Sequence, residues 1–228
     1  MAEQQANSAA PAGAGSAATD SIGTETIGSY LARLASRQPT PGGGAAAALH
    51  AAQGAALVAM VARYTTGPKY AEHEALVERT TKVADELSSE ALRLADSDEQ
   101  VFQAVIDAYR LPSDTGELKA AKTSAIQAAL VQAAQTPAQL VKLAGAVVDL
   151  ADGLADVANP NVISDVAAAA DAARAAATTA RVNIDINVVA IKDQAVRSLL
   201  KEQTDGIEEK VVAAADALVA RVRERILQ

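Results

Sequence analysis

Polar side chains that fall where a helical period calls for apolar ones are few in this chain. Asp98 follows Leu94 by four residues and precedes Val101 and Phe102 by three and four, so it lies on or beside a stripe of Leu and Val. A carboxylate there is either partly buried or lines a cleft, the settings in which carboxyl groups exchange protons. The competing reading is a solvated patch with Asp96 and Glu99 at a kink. Asp165, Ala169, Ala172, Ala176, Asn183 and Asn187 share one helical face, because eighteen residues make about five turns. Asn183 and Asn187 would present two amides side by side, as ligand contacts or as interhelical bonds that set bundle register. Asp165, in a first turn, also suits the positive end of a helix dipole.

The segment Pro39-Thr40-Pro41-Gly42-Gly43-Gly44 opens an Ala-rich helix. Glycines at a helix N-terminus leave backbone N–H groups open to an oxygen ligand, and they equally permit close packing against a neighbouring helix. No Gly-Lys-Ser/Thr follows and no strand precedes, so neither phosphate-binding loop fingerprint is present. The two histidines, His50 and His73, lie outside any Glu-x-x-His pattern; no metal is expected. His50 reads as a core histidine and His73 as a surface one. Without cysteine there is no thiolate nucleophile, disulfide or Cys-ligated metal.

The elements that must position these residues are helical. Half of the 228 residues are hydrophobic and only 2% aromatic, so the apolar content is mostly Ala with Val, Leu and Ile. That excludes a β-sandwich or barrel and predicts closely packed helices. Residues 1–22 read as a disordered tail and 23–228 as one all-α domain, a bundle of long helices. The spacing predicts a short helix from Ile27 past Leu34, then a buried one from Ala45 to Thr65, almost apolar all round. A long helix follows from Tyr70 to Arg110, with Leu76, Val83, Leu87, Ala91, Leu94, Val101 and Val105 as its core stripe. A helix pair occupies Thr115 to Val157, broken near Pro137 with Thr136 as cap. One long helix runs from Asn159-Pro160-Asn161 to Gln203, and a last one starts at Ile207. Pro and Gly punctuation argues against a coiled-coil rod, and exposed Ala-rich faces predict a homodimer.

The formal net charge of −8 disfavours nucleic acid. The lack of a secretory signal pattern or an uninterrupted membrane-length apolar run predicts a cytoplasmic protein with no membrane partner.

Four islands in order resemble the cyclodeaminase/cyclohydrolase family: the C-terminal domain of formiminotransferase-cyclodeaminase and standalone methenyltetrahydrofolate cyclohydrolases. They are Pro39 to Gly44 with the helix after it, Thr66-Gly67-Pro68-Lys69-Tyr70, Asp96-Ser97-Asp98-Glu99-Gln100-Val101-Phe102 running to Arg110-Leu111-Pro112, and Asn159 to Ala167 with Asn183 and Asn187. The resemblance implies an all-helical, dimer-forming fold and a tetrahydrofolate derivative as substrate. The implied reaction is hydrolysis of 5,10-methenyltetrahydrofolate to the 10-formyl form, or closure of 5-formiminotetrahydrofolate with loss of ammonia. It makes Asp98 and Asp165 the catalytic candidates, since a carboxylate in a low-dielectric cleft can stabilise the cationic methenyl bridge and move a proton. Pro41, Gly42, Gly43, Gly44, Asn183 and Asn187 become substrate-binding candidates, and Lys69 a partner for the glutamate tail. Ala45 stands where relatives often carry Ser, and Gly67-Pro68-Lys69 where they carry several Lys, which leaves room for a binding protein derived from an enzyme. The chain shows no formiminotransferase domain, which favours the hydrolase. A non-catalytic helical scaffold is the alternative of a different class.

Overall fold

The computed structural model describes residues 21–228, and among them every regular element is helical. A 3₁₀ turn at Ile22–Thr24 leads to α1 (Ile27–Leu34), α2 (Gly43–Tyr64), a 3₁₀ turn at Pro68–His73, α3 (Glu74–Arg110), α4 (Gly116–Leu154), a 3₁₀ turn at Pro160–Val162, α5 (Ile163–Ala190), α6 (Gln194–Thr204) and α7 (Ile207–Leu227). The expected tail lies outside the described residues except at its border. There Ile22 is 6% exposed, and the Ser21 hydroxyl and Ile22 N–H both donate to Asp96.

Helices α2, α3, α4 and α5 form a ring in which each packs on the next and α5 closes on α2; α7 lies outside against α5 and α4. Small residues make this possible. Gly54 of α2 faces the Ala169 carbonyl so closely that a Cβ would reach 3.0 Å from it. Ala51 and Ala55 on α2 and Ala169 and Ala173 on α5 are fully buried. Helix α2 passes the length and hydropathy test for a membrane span, yet most of it is enclosed by its neighbours. Its solvent side is a stripe through His50, Gln53 and Arg63, so His50 is exposed rather than a core histidine.

Three expectations need correction. Helix α4 runs unbroken through Pro137, which is buried together with Thr136. Proline removes the N–H that would bond the Ala133 carbonyl four residues back. The Asn187 side-chain amide of α5 donates to that oxygen instead, at 3.3 Å. Thr136 caps nothing; its hydroxyl is 3.2 Å from that of Ser97 on α3. The helix predicted to reach Gln203 stops at Ala190. Gln127 of α4 donates to the Ala190 carbonyl and accepts from Lys192 N–H, Ile191 is buried, and the Asp193 carboxylate caps α6 through the Ala195 and Val196 N–H groups. The early part of α3 buries Val77, Thr80 and Ala84, one position away from the expected Leu76 and Val83.

Candidate active site

The start of α2 carries no side-chain cap, because its N-cap is Gly42. Orphan N–H groups at that position need an acceptor, and α3 supplies one: Ala45 N–H donates to Asp98 Oδ2 at 3.0 Å. Gly44 permits the approach, since a Cβ there would overlap the Asp98 carboxylate. Asp98 is therefore the cap of α2, delivered from across the bundle. Burial pushes its carboxyl up to about 6, against the Ala45 N–H, which lowers it, while the neighbouring Glu99 charge adds to the rise.

Asp96, Asp98 and Glu99 do not form a solvated patch at a kink. Helix α3 is continuous, and the three acids go separate ways. Asp96 holds the chain at Ser21 and Ile22, Asp98 meets α2, and Glu99 pairs with Arg33 of α1.

Asp98 opens into a cavity of about 450 Å³ at the end of the bundle where α2 starts and α5 finishes, a size that suits a small organic ligand. Gly42, Gly43 and Gly44 form one wall, and Asn183 and Asn187 of α5 another. The Asn183 NH₂ donates to the Thr179 carbonyl, and the Asn187 NH₂ to those of Asn183 and Ala133. Every partner of these amides being a carbonyl, the NH₂ orientation is dictated. The register role of Asn187 and its place in the cavity wall thus coexist. The Asn oxygens are the acceptors a ligand's N–H groups would meet.

Pro41 is buried behind the glycines and does not line the cavity; it follows Thr40 through a cis peptide bond. Lys69 and Asp165 are elsewhere. Asp165 precedes Asn183 by eighteen residues on α5, about 27 Å along the axis. It is half-buried in the first turn, where the helix dipole favours it. Lys69 is exposed beyond the far end of α2, its ammonium 5.4 Å from the Tyr70 ring centre. The Thr66 to Tyr70 and Asn159 to Asp165 islands meet there: Asn159 donates its N–H to the Thr65 hydroxyl and its side-chain amide to the Tyr64 carbonyl. The Pro39 to Gly44 and Asp98 islands thus meet at the cavity, Thr66 to Tyr70 lies at the other end, and the last island divides, its Asn159 to Asp165 stretch at the far end and Asn183 and Asn187 in the cavity wall.

Phe102 and Tyr109 also line the cavity, and neither is among the sequence-derived site candidates. Their signal is present, because 98, 102, 105 and 109 follow a helical stripe and Phe102 is the only phenylalanine. A shallower groove of about 600 Å³ between α3 and α4, around Gln100, Ala104 and Gln132, carries no ionisable side chain. A third, of about 290 Å³, lies at the far end beside Gly67, Glu74 and Glu78.

One cavity thus brings together an acid, a glycine-rich helix start, two asparagines and two aromatic side chains. Comparison with known proteins supplies the family. The sequence model described as Formiminotransferase-cyclodeaminase matches residues 26–206. A methenyltetrahydrofolate cyclohydrolase of Methylorubrum extorquens is 38% identical over 90% of this chain and 97% of its own length. The formimidoyltransferase-cyclodeaminase of Sus scrofa is 29% identical over 86% of this chain, which spans 36% of that longer protein. The crystal structure of a formiminotetrahydrofolate cyclodeaminase from Thermotoga maritima superimposes with a TM-score of 0.76 at 27% identity, covering 90% of this chain and 97% of the other. The chain belongs to the formiminotransferase-cyclodeaminase family.

Proposed function

We propose that the protein hydrolyses 5,10-methenyltetrahydrofolate to 10-formyltetrahydrofolate, with Asp98 as the acid–base group. The observation that carries this reading is the Asp98 carboxyl, seated on the Ala45 N–H in a cavity of pterin size and tuned toward neutral pH. The end-to-end relative that bears the cyclohydrolase name supports the choice of reaction.

The substrate bridge is a delocalised N–CH–N cation. Water adds to the bridging carbon while ionised Asp98 takes one of its protons. The bond from that carbon to N5 then breaks, N5 receives the proton from Asp98, and the remaining hydroxyl proton passes to solvent as the formyl C=O forms. The enclosed carboxylate also offsets the cation as it binds. Phe102 and Tyr109 offer flat walls to the ring, the asparagine oxygens accept from its N–H edge, and open N–H groups at Gly43 and Gly44 can orient an oxygen. Asp165 and Lys69 receive no step from one chain.

A second reading, cyclodeamination of 5-formiminotetrahydrofolate with release of ammonia, is favoured by the shared fold of the Thermotoga maritima formiminotetrahydrofolate cyclodeaminase. The same acid–base group would serve N10 attack and ammonia departure. Loss of methenyl absorbance on adding enzyme tests hydrolysis; ammonia release from the formimino compound tests the second reading. If the protein does neither while folded, both fail and a scaffold remains. A homodimer belongs to the same proposal, since Val182 and Val189 of α5 are exposed close to the cavity; sedimentation gives the answer.

A further inference from the structure

Glu99 is the buried acid that this chemistry leaves without a task. It follows Asp98 directly on α3 and is 9% exposed, yet it turns toward α1. Arg33 lays its guanidinium along it, with Nη2 donating to Oε1 at 2.9 Å and Nη1 to Oε2 at 3.4 Å. The same guanidinium reaches Glu25, its Nε lying 3.2 Å from both carboxylate oxygens. One arginine thus stands between two carboxylates, on the side of α3 away from the cavity.

The groups that act on Asp98 can be named from each neighbouring helix. Helix α1 contributes Tyr30, whose buried hydroxyl has no hydrogen-bond partner among the described residues and is pushed up by burial and then by Glu99; behind it stands Arg33. Helix α2 contributes the Ala45 N–H, and α3 contributes Glu99 itself. Helices α4 and α5 face the cavity with Leu130, Ala133, Asn183 and Asn187, none of them ionisable. Glu99 is therefore the nearest like charge, and Arg33 its counter-charge. A buried carboxylate left without that partner would oppose ionisation of the acid beside it.

We propose that Arg33 is a positioning residue for Asp98: its fork holds Glu99 toward α1 and offsets its charge, so that the carboxyl beside it stays free to give up its proton. This rests on the reading of Asp98 as the acid–base group.

The test is a ¹³C titration of the Asp98 carboxyl, assigned with Asp98→Asn, beside the pH profile of kcat/KM on methenyltetrahydrofolate. It is run on wild type, Arg33→Gln, Glu99→Gln and the double variant. Arg33→Gln is expected to move the Asp98 midpoint and the acid limb up by about one unit. Glu99→Gln should move both down, and adding Arg33→Gln to it should change neither, because Arg33 acts through Glu99. Should Arg33→Gln not fold, Glu99→Gln carries the test alone, since its arginine keeps Glu25. An unmoved midpoint in Glu99→Gln, or an equal Arg33→Gln shift in both backgrounds, overturns the proposal. Midpoints that move as expected in a protein that turns over no folate would uphold the clamp and remove the catalytic reading.

Discussion

Gly44 and Asp98 share one space: the carboxylate of α3 fills the volume that a side chain on α2 would need. The missing Cβ lets a helix start borrow its cap from a neighbour and leaves that cap as an acid facing a cavity. Structure and chemistry are coupled at this pair, and they can be separated by substitution.

Gly44→Ala should abolish function with little effect on stability. The overlapping atoms are the far end of a side chain that can swing aside, and alanine is about 1 kcal/mol better than glycine within a helix. The expected result is a melting temperature near wild type and a loss in kcat/KM on the order of a hundred- to ten-thousand-fold, the range for a displaced acid–base group.

Asp98→Asn should be more stable than wild type in neutral and basic solution. The folded carboxyl is raised from 3.8 to about 6, so the protonated form favours the fold. That contribution is present below the unfolded value and disappears as pH rises through the folded one. Asn, which cannot ionise, should gain about 3 kcal/mol at pH 8 and nothing below about pH 4. Thermal melts across that interval check the sign; a stability difference that grows toward acid would contradict it.

The pH profile of kcat/KM should show an acid limb near 6, where Asp98 ionises in the free enzyme. Gly44→Ala, with the carboxylate moved off the Ala45 N–H, should lose that limb along with its rate.

Asn187→Ala should cost about 1–3 kcal/mol, because the Ala133 carbonyl is left without a donor. Pro137→Ala restores a backbone N–H to the same oxygen, so Asn187→Ala should cost less in that background. A double-mutant cycle on denaturation midpoints measures the coupling; additive costs would show that the two residues are not linked.

Pro137 also shows why some of the fold was illegible. A proline inside a helical pattern reads as a break, and its repair comes from an amide fifty residues later, which no local rule anticipates. The stop after Ala190 has the same character: Asp193 is a visible cap residue, but Gln127 of another helix closes the end. Helices whose edges carry their own signals were legible, such as α2 from the glycine turn to Tyr64. In the site, Asp98, Asn183 and Asn187 stood out as polar residues on apolar faces, and the cavity joins all three. Asp165 shares the Asn183 face but lies five turns away, because periodicity reports which side of a helix a residue occupies and nothing about its height. The Arg33–Glu99 pair escaped notice for another reason: ion pairs between helices leave no spacing to read.

The most direct measurement is the rate at which methenyltetrahydrofolate absorbance disappears at neutral pH with wild type and with Asp98→Asn, both shown to be folded. The account predicts rapid loss with wild type and at least about a hundredfold slower loss with the variant. Equal rates, with Asp98→Asn hydrolysing the folate as fast as wild type, would contradict it.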